Sequence, residues 1–234
     1  MRRVETGVNM SESGAIKAVL FDMDGVILDT ERIHIEGWKT VCGNAGISVD
    51  EDFLVKLRGA NQEYQKKVFQ ETFGEAVPFD MLRRQRRDYS MARFEADGVA
   101  AKPGYSELTA WLREQEIPYA LCTSTEMDTA ARLLSLAGLP CDFAATVTGM
   151  EPAHSKPAPD VFLLAAEKLG VRPEDCVVME DSPNGVQAGC AAGCRVVMVP
   201  DTVPADEILR RKTTAVCESL LEARALLITI QGFD

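Results

Sequence analysis

The sequence is poor in histidine, in ordered cysteine patterns and in long apolar runs. It contains two histidines and seven cysteines; the scattered cysteines argue against structural zinc and favour reduced thiols over disulfides. No segment approaches the roughly 18 apolar residues that a membrane span needs. Residues 1–14 lack the apolar centre of a secretory signal, and we interpret them as a flexible tail. These absences predict a cytoplasmic protein that does not contact membranes.

Positive charge is also scarce. The chain has 25 Lys and Arg against 36 Asp and Glu, a formal net charge of −11 at pH 7. Proteins that bind nucleic acid usually show the opposite balance, so we expect no such partner. The one strongly basic run spans residues 82–87. We interpret it as a solvated helix face, with attraction of an anionic ligand as the less favoured alternative.

The most informative stretch is the apolar run Ala18–Phe21, which ends abruptly in Asp22 and Asp24. Such a run is typical of a buried strand in a parallel sheet. Two neighbouring carboxylates repel each other, and burial removes the water that solvates them. A divalent cation is the simplest group that could offset this cost. Acids at the carboxyl end of a parallel strand also lie where open α/β sheets bind ligands.

The rest of the chain divides into a helical stretch and a strand–helix alternation. Residues 31–100 carry helical periodicity throughout, with Asp50 and Asn61 as predicted caps of the second and third helices. From residue 101 onward the pattern predicts strands at 117–122, 143–147, 176–179 and 195–199, a helix over 156–169 and a final helix over 218–230. This order predicts an α/β fold with a doubly wound (Rossmann-like), mainly parallel sheet. The predicted core is 15–30 with 101–234, and 31–100 is an inserted all-helical domain.

Polar side chains stand where the predicted strands stop or the next helix starts. In a doubly wound sheet the carboxyl ends of the strands share one edge, so these side chains can converge. Carboxylates suit Mg²⁺, and a lysine with hydroxyls and backbone N–H groups suits phosphate. The set comprises Asp22, Asp24, Thr123, Ser124, Lys156, Glu180 and Asp181.

The order of these residues resembles the haloacid dehalogenase superfamily. Its four motifs are matched by 22–26, by Thr123 or Ser124, by Lys156 and by 180–182. A helical insert directly after the first motif is similar to the family's cap domain of the first type. Residues 29–34 and 155–160 resemble the β-phosphoglucomutase-like branch, which consists mostly of small-molecule phosphatases.

The resemblance implies a role for each acid. Asp22 would be the nucleophile that forms an aspartyl phosphate, and a metal ligand. Asp24 would be the general acid and base, and its backbone carbonyl a metal ligand. Asp181 would be the other direct ligand of Mg²⁺, and Glu180 would bind the metal or position its water.

The resemblance also implies the groups that bind substrate. Lys156 would neutralise the transferring phosphoryl group, and Thr123, with the amide of Ser124, would hold it; Ser124 could replace Thr123 in that role. His34 could orient Asp24 or donate to the substrate, although an ordinary helix histidine is equally compatible with the pattern. Arg58 stands where the sugar mutase of this branch has a lysine.

The second aspartate of the first motif, Asp24, favours phosphate esters over the carbon–halogen bond. Gln62 and Glu126 replace an arginine and a lysine with which the mutase binds a second phosphate. We therefore expect a Mg²⁺-dependent phosphatase acting on a small phosphorylated metabolite, such as a sugar phosphate. A β-phosphoglucomutase-type mutase is the alternative, and a non-catalytic relative that binds a phospholigand is the third. We expect a monomer or a weak homodimer.

Overall fold

The computed structural model describes residues 14–149 and 151–232, so the predicted tail lies, except for Gly14, outside the described residues. Within those ranges the chain forms six strands and ten α-helices. The strands are β1 (Ala18–Phe21), β2 (Tyr119–Thr123), β3 (Ala145–Thr148), β4 (Cys176–Glu180), β5 (Arg195–Met198) and β6 (Ala215–Val216). The helices are α1 (Glu31–Asn44), α2 (Glu51–Leu57), α3 (Gln62–Phe73), α4 (Phe79–Asp97), α5 (Tyr105–Glu114), α6 (Met127–Leu136), α7 (Asp160–Leu169), α8 (Pro183–Ala191), α9 (Glu207–Lys212) and α10 (Leu220–Gln231). None of these described helices is both long and apolar enough to cross a bilayer.

The strands form a parallel sheet in the order β3-β2-β1-β4-β5-β6. In the centre, Val19 of β1 is in register with Tyr119 of β2 on one side and with Val177 of β4 on the other. The chain moves outward from β1 to β3 and then returns to β4 on the opposite side of β1. The carboxyl end of β1 therefore lies at the point where the strand order reverses, and the predicted doubly wound fold is confirmed.

Both faces of the sheet are covered by helices. Val19 and Phe21 of β1 belong to a buried cluster that includes residues of α5, α6 and α10. Ala18 and Leu20 point the other way, into a cluster with residues of α7 and α8. Because successive side chains of a strand alternate between faces, a strand covered on both sides needs apolar residues at every position. This explains the uninterrupted apolar run that precedes Asp22.

Helices α1 to α4 have a hydrophobic cluster of their own. Its aromatic members come from α1 to α4, with Trp38 against Phe69 at a ring-centroid distance of 4.9 Å and Phe53 against Phe69 at 4.9 Å. The predicted caps are confirmed, since Asp50 accepts a hydrogen bond from the Phe53 amide at 2.8 Å and Asn61 accepts one from the Tyr64 amide at 3.1 Å. This part of the chain therefore packs around its own core next to the sheet.

Element boundaries differ from the sequence prediction by one or two residues in β3, β4, β5 and α10, and three further differences have a physical reason. The helix expected from residue 156 begins at Asp160, because a proline disfavours the helical conformation of the residue before it and two prolines follow Lys156 and Ala158. Strand β2 begins at Tyr119, directly after Pro118, which has no N–H to donate. Residues 207–216 hold α9 and β6, which the sequence analysis did not predict, since a two-residue strand leaves no periodicity to detect.

Gly104 marks a close approach between α5 and α10. It has φ +92° and ψ −5°, and a Cβ at this position would lie 2.3 Å from the Leu221 nitrogen and 2.8 Å from the Leu220 carbonyl carbon. We expect Gly104→Ala to lower the free energy of unfolding by about 2–5 kcal/mol, because the cost of a left-handed backbone and the cost of a steric clash add.

Gly170→Ala is the matched control, since Gly170 has φ +67° at the end of α7 with nothing within 4 Å of a Cβ. Gly170→Ala should lower the free energy of unfolding by only about 1–2 kcal/mol, which is the cost of a left-handed backbone for a residue with a Cβ. Urea unfolding of both variants measures the difference, and equal losses would contradict the close approach of α5 and α10.

Candidate active site

The polar residues predicted at the strand ends meet at one edge of the sheet. Asp22 and Asp24 follow β1, Thr123 ends β2, and Glu180 ends β4. Because β2 and β4 flank β1 in a parallel sheet, these side chains project from neighbouring strand ends. The loop before α7 brings Lys156 into the same place.

Lys156 is the centre of this group. Its Nζ donates to Asp22 Oδ1 at 2.5 Å, to Glu180 Oε1 at 2.7 Å and to the Cys122 carbonyl oxygen at 3.2 Å. All three hydrogens of the ammonium are therefore used. Lys156 is 2% exposed, Asp22 4% and Glu180 0%. The cluster is thus a buried ion-pair triad.

Burial and charge act in opposite directions in this triad. Burial raises the pKa of Asp22 well above its usual range, while the Lys156 charge partly opposes that rise. Burial lowers the pKa of Lys156, but the two carboxylates outweigh it, so the net direction is upward and the ammonium stays charged. A buried lysine with two acidic partners therefore supplies a permanent positive charge beside Asp22.

Asp22, Glu180 and Asp181 also form a carboxylate group that fits a metal ion. One oxygen from each lies within 4.8 Å of the others. Burial, followed by the neighbouring carboxylates, raises the pKa of Asp181 well above its usual range, and its buried Oδ2 has no hydrogen-bond partner among the described residues. An orphaned buried carboxylate oxygen in an all-oxygen donor set is the chemistry that Mg²⁺ prefers.

Glu180 differs from the other two acids because both of its oxygens already have partners. Oε1 faces Lys156, and Oε2 accepts hydrogen bonds at 3.0 Å from the amides of Asp181 and Ser182 and from the Ser182 hydroxyl. Within the described residues Glu180 therefore acts first as the group that fixes the lysine and the loop after β4.

Asp24 has a separate set of partners. Its carboxylate accepts hydrogen bonds from the Thr30 hydroxyl at 2.6 Å and from the Thr125 hydroxyl at 3.0 Å, and His34 Nε2 lies 3.5 Å from Oδ1. Burial acts to raise the pKa of Asp24, but His34 and the two hydroxyls outweigh it, so the pKa lies below its usual range. The Asp24 carboxylate does not belong to the group that fits a metal.

Arg86 orients His34 through Nδ1, the ring nitrogen that does not face Asp24. Arg86 Nη1 lies 2.8 Å from His34 Nδ1, and the Ser90 hydroxyl lies 3.2 Å from the same nitrogen. A guanidinium only donates, so Nδ1 accepts and the ring hydrogen stands on Nε2, which faces Asp24. Burial and the Arg86 charge lower the pKa of His34, so the neutral imidazole is favoured. The sequence predicted His34 near Asp24 but did not identify Arg86.

Thr123 and Ser124 occupy different positions. Thr123 is 1% exposed, and its hydroxyl accepts a hydrogen bond from the Thr125 amide at 3.1 Å. Ser124 lines the same cavity as Asp22 and Asp24. The Thr123 hydroxyl thus shapes the loop after β2 and keeps its own O–H to donate. Thr123 lines a smaller pocket together with Ser124 and Lys156, whereas Ser124 also faces the larger cavity.

An open cavity lies between this strand edge and helices α1 to α4. Arg58 lines it and is 6% exposed, with Nε 3.8 Å from Glu31 Oε2 and Nη2 3.9 Å from Glu51 Oε2. Burial raises the pKa of Glu31 to about 7. The sequence analysis predicted Arg58 but missed Glu31, which follows the first motif as an ordinary helix-start acid.

The interpretation of the basic run as a solvated helix face is incomplete, because Arg84 and Arg87 are exposed but three of the four arginines line the cavity. Arg83, Arg86 and Arg87 line the cavity, and among the arginines of this run only Arg84 points away from it. Their spacing of three and four residues places them on one face of α4. The helical periodicity of the run predicts a shared face, but it does not show whether that face meets the cavity or the solvent.

A parallel α/β sheet with a lysine-bridged carboxylate pair beneath an open cavity defines an enzyme of the phosphoryl-transfer class. The family model for haloacid dehalogenase-like hydrolases matches residues 16–193. The chain belongs to that family, and its relatives place it in the β-phosphoglucomutase-like branch, as the motifs predicted.

Two related sequences and one solved structure illustrate what this chain is similar to. Fructose-1-phosphate phosphatase YqaB of Escherichia coli is 34% identical over 182 residues, covering 77% of this chain and 95% of that protein. Beta-phosphoglucomutase of Bacillus subtilis is 32% identical over 216 residues, covering 88% and 95%. The crystal structure of beta-phosphoglucomutase from Clostridium difficile has a TM-score of 0.79 at 22% identity, covering 92% and 96%, and shares the fold.

Lys156→Met tests the triad, because it leaves Asp22 and Glu180 buried together without their shared cation. We expect a loss of unfolding free energy of about 3–5 kcal/mol at pH 8. Burial already holds the pKa of Asp22 high, so its carboxyl takes up a proton readily in the folded variant. A raised folded-state pKa favours the folded protein at low pH and less so as pH rises, so the loss should be smaller at pH 5.

Urea unfolding at both pH values, with EDTA present, measures this effect. Lys39→Met is the control, because Lys39 and Glu51 form an exposed pair whose removal should cost less than about 1 kcal/mol. A loss for Lys156→Met as small as the control, or one that does not depend on pH, would contradict the ion-pair triad.

Proposed function

We propose that this protein is a Mg²⁺-dependent phosphatase that hydrolyses a small phosphorylated metabolite through an aspartyl phosphate on Asp22. The observation that carries the proposal is the position of Asp22, which faces the cavity while Lys156 Nζ lies 2.5 Å from its Oδ1. A carboxylate that attacks a phosphate dianion meets charge repulsion, and a fixed ammonium beside it lowers that repulsion. Two relatives from Escherichia coli, fructose-1-phosphate phosphatase YqaB and hexitol phosphatase A, support a sugar phosphate as the substrate class.

The proposed reaction has two steps. An oxygen of Asp22 forms a bond to phosphorus while the ester P–O bond breaks, and Asp24 gives its proton to the leaving alkoxide. A water molecule then attacks the aspartyl phosphate, Asp24 takes its proton, and phosphate and the free Asp22 carboxylate result. Asp24 has a low pKa in the ligand-free protein; an incoming phosphate dianion raises it, since like charges disfavour ionisation.

The remaining groups would bind Mg²⁺ and the phosphoryl group and would neutralise negative charge in the site. Asp22 and Asp181 would hold Mg²⁺, with the Asp24 carbonyl as a further ligand and Glu180 beside them; the ion would supply positive charge to the transferring oxygens. Lys156 would contact the phosphoryl group from the other side. Ser124, which lines the cavity, and the amides of the loop after β2 would complete the phosphate contacts.

We further propose that residues 31–100 act as a cap over a core of 15–30 and 101–234. The separate cluster around Trp38 and Phe69 supports this division. The cavity is lined from both parts, by Asp22 and Ser124 on the core side and by Arg58 on the cap side. In this arrangement the cap selects the leaving group, while the core carries out the chemistry.

A phosphomutase is the second candidate, because the Bacillus subtilis mutase is 32% identical over 216 residues. A mutase must also bind the phosphate that is not being transferred. At the two positions where the mutase has cations for that contact, this chain has Gln62 and Glu126. Every charged residue of the four motifs is present, which favours either enzyme over a non-catalytic relative.

Asp22→Asn tests the nucleophile. We expect Mg²⁺-dependent release of phosphate from p-nitrophenyl phosphate to fall by at least about 1,000-fold, since an amide oxygen cannot form the acyl phosphate. Asp128→Asn is the control, because Asp128 is an exposed acid on α6. Circular dichroism checks that both variants fold; undiminished turnover by a folded Asp22→Asn protein would overturn the assignment.

Product analysis separates phosphatase from mutase. With β-glucose 1-phosphate and Mg²⁺, a phosphatase releases inorganic phosphate at the rate at which substrate disappears. We expect that result, because the aspartyl phosphate is open to water through the cavity. Glucose 6-phosphate accumulating without free phosphate, detected by a coupled dehydrogenase assay, would instead establish the mutase.

A further inference from the structure

Three of the arginines of α4 line the cavity, and they differ in their contacts. Arg83, Arg86 and Arg87 line the cavity together with Ser90 and Met91 of the same helix. Positions separated by three, four, seven and eight residues share one helix face, so this face of α4 forms a wall of the cavity. A wall that presents three guanidinium groups favours a ligand that carries negative charge.

Two of the cavity's arginines are already engaged. Arg86 donates to His34 and lies 5.3 Å from the centre of the Trp38 ring. Arg58 faces Glu31 and Glu51 at 3.8 and 3.9 Å. These two residues therefore belong to the internal framework of the site.

The charges of Arg83 and Arg87 are compensated less fully. Arg83 has one carboxylate nearby, with Nη2 3.7 Å from Oε1 of the exposed Glu126, whereas Arg58 has two. The Nε of Arg83 is buried without a hydrogen-bond partner among the described residues, as are the Nε atoms of Arg58 and Arg86. Arg87 is exposed and lines the cavity, and no hydrogen bond or ion pair within residues 14–149 and 151–232 involves it. One carboxylate thus faces Arg83 and none of the described residues pairs with Arg87, so the two guanidinium groups carry more positive charge than their partners compensate.

We propose that Arg83 and Arg87 form a binding subsite for a second anionic group, a phosphate or a carboxylate, carried by the leaving group of the substrate. The proposal rests on the phosphatase function proposed above and specifies the substrate further. Guanidinium groups bind either anion with paired, charge-assisted hydrogen bonds. The transferring phosphoryl group would sit at the strand edge, and the same cavity extends from Asp22 at that edge to the arginines of α4.

This subsite differs from the second-phosphate contacts that the sequence resemblance implies. At those two positions this chain has Gln62 and Glu126, which are neutral and negative. The positive charge comes instead from the α4 wall, and Arg83 lies opposite Glu126. Glu126 would then hold Arg83 in the cavity until a stronger anion replaces it.

Matched substrates test the proposal. One pair compares fructose 1,6-bisphosphate with fructose 1-phosphate, and the other compares 6-phosphogluconate with sorbitol 6-phosphate. In each pair only the first has a leaving group with a second anion. The wild-type protein should have the higher kcat/KM for the member of each pair whose leaving group carries the second anion. The pair with the larger ratio of kcat/KM values shows whether the subsite prefers phosphate or carboxylate.

The variant Arg83→Gln/Arg87→Gln should reduce that preference by about 10- to 100-fold, mainly through KM, since charge-assisted contacts are lost. Arg84→Gln is the matched control, because Arg84 is exposed on the same helix and does not line the cavity; its preference should equal that of the wild type. Arg83→Lys/Arg87→Lys keeps the charge and should retain most of the preference, which separates charge from packing.

A binding measurement separates this proposal from the catalytic one. Calorimetric titration of fructose 1,6-bisphosphate into Asp22→Asn protein should give a dissociation constant at least tenfold weaker when Arg83 and Arg87 are glutamine. If no ester is hydrolysed but this difference appears, the phosphatase proposal fails and the subsite stands. Equal binding, and an equal substrate preference, in the parent and in the glutamine variant would overturn the subsite.

Discussion

The structure depends on one buried ion pair network, in which Lys156 holds Asp22 and Glu180 at hydrogen-bond distance. Removing one member of this network leaves a buried charge without its partner, which costs free energy. The geometry of the network is therefore fixed more firmly than that of a surface ion pair. The three residues come from the ends of β1 and β4 and from the loop before α7. The network therefore ties the central strands to the same point at which Asp22 faces the cavity.

A second network acts on Asp24 and leads to α4. Thr30, Thr125 and His34 surround the carboxylate, and Arg86 orients the imidazole from the far side. The two aspartates, two residues apart, thus have opposite environments. Asp22 has a raised pKa and a cationic partner, whereas Asp24 has a lowered pKa and mostly neutral donors. Different surroundings of this kind are how two like residues take different roles.

Much of the fold and the site could be predicted because local signals and tertiary structure agree. The apolar run before Asp22 required a strand covered on both faces, and the polar residues after each strand marked the functional edge. Arg86 and Glu31 could not be predicted, because their importance depends on which helix face meets the cavity. The periodicity of α4 was visible in the sequence, but the same spacing fits a solvated face equally well until packing is known.

Charge is distributed unevenly between the outer surface and the cavity. The chain carries a net charge of −11, so the long-range field repels anions from most of the surface. The α4 wall places Arg83, Arg86 and Arg87 against that field, in the same cavity as Asp22 and Asp24. Under the proposed function, bound Mg²⁺ and Lys156 neutralise the acids at the strand edge, so an anion is attracted at both ends of the cavity. The acidic surface and the basic wall then together favour ligands that carry negative charge at two separated positions.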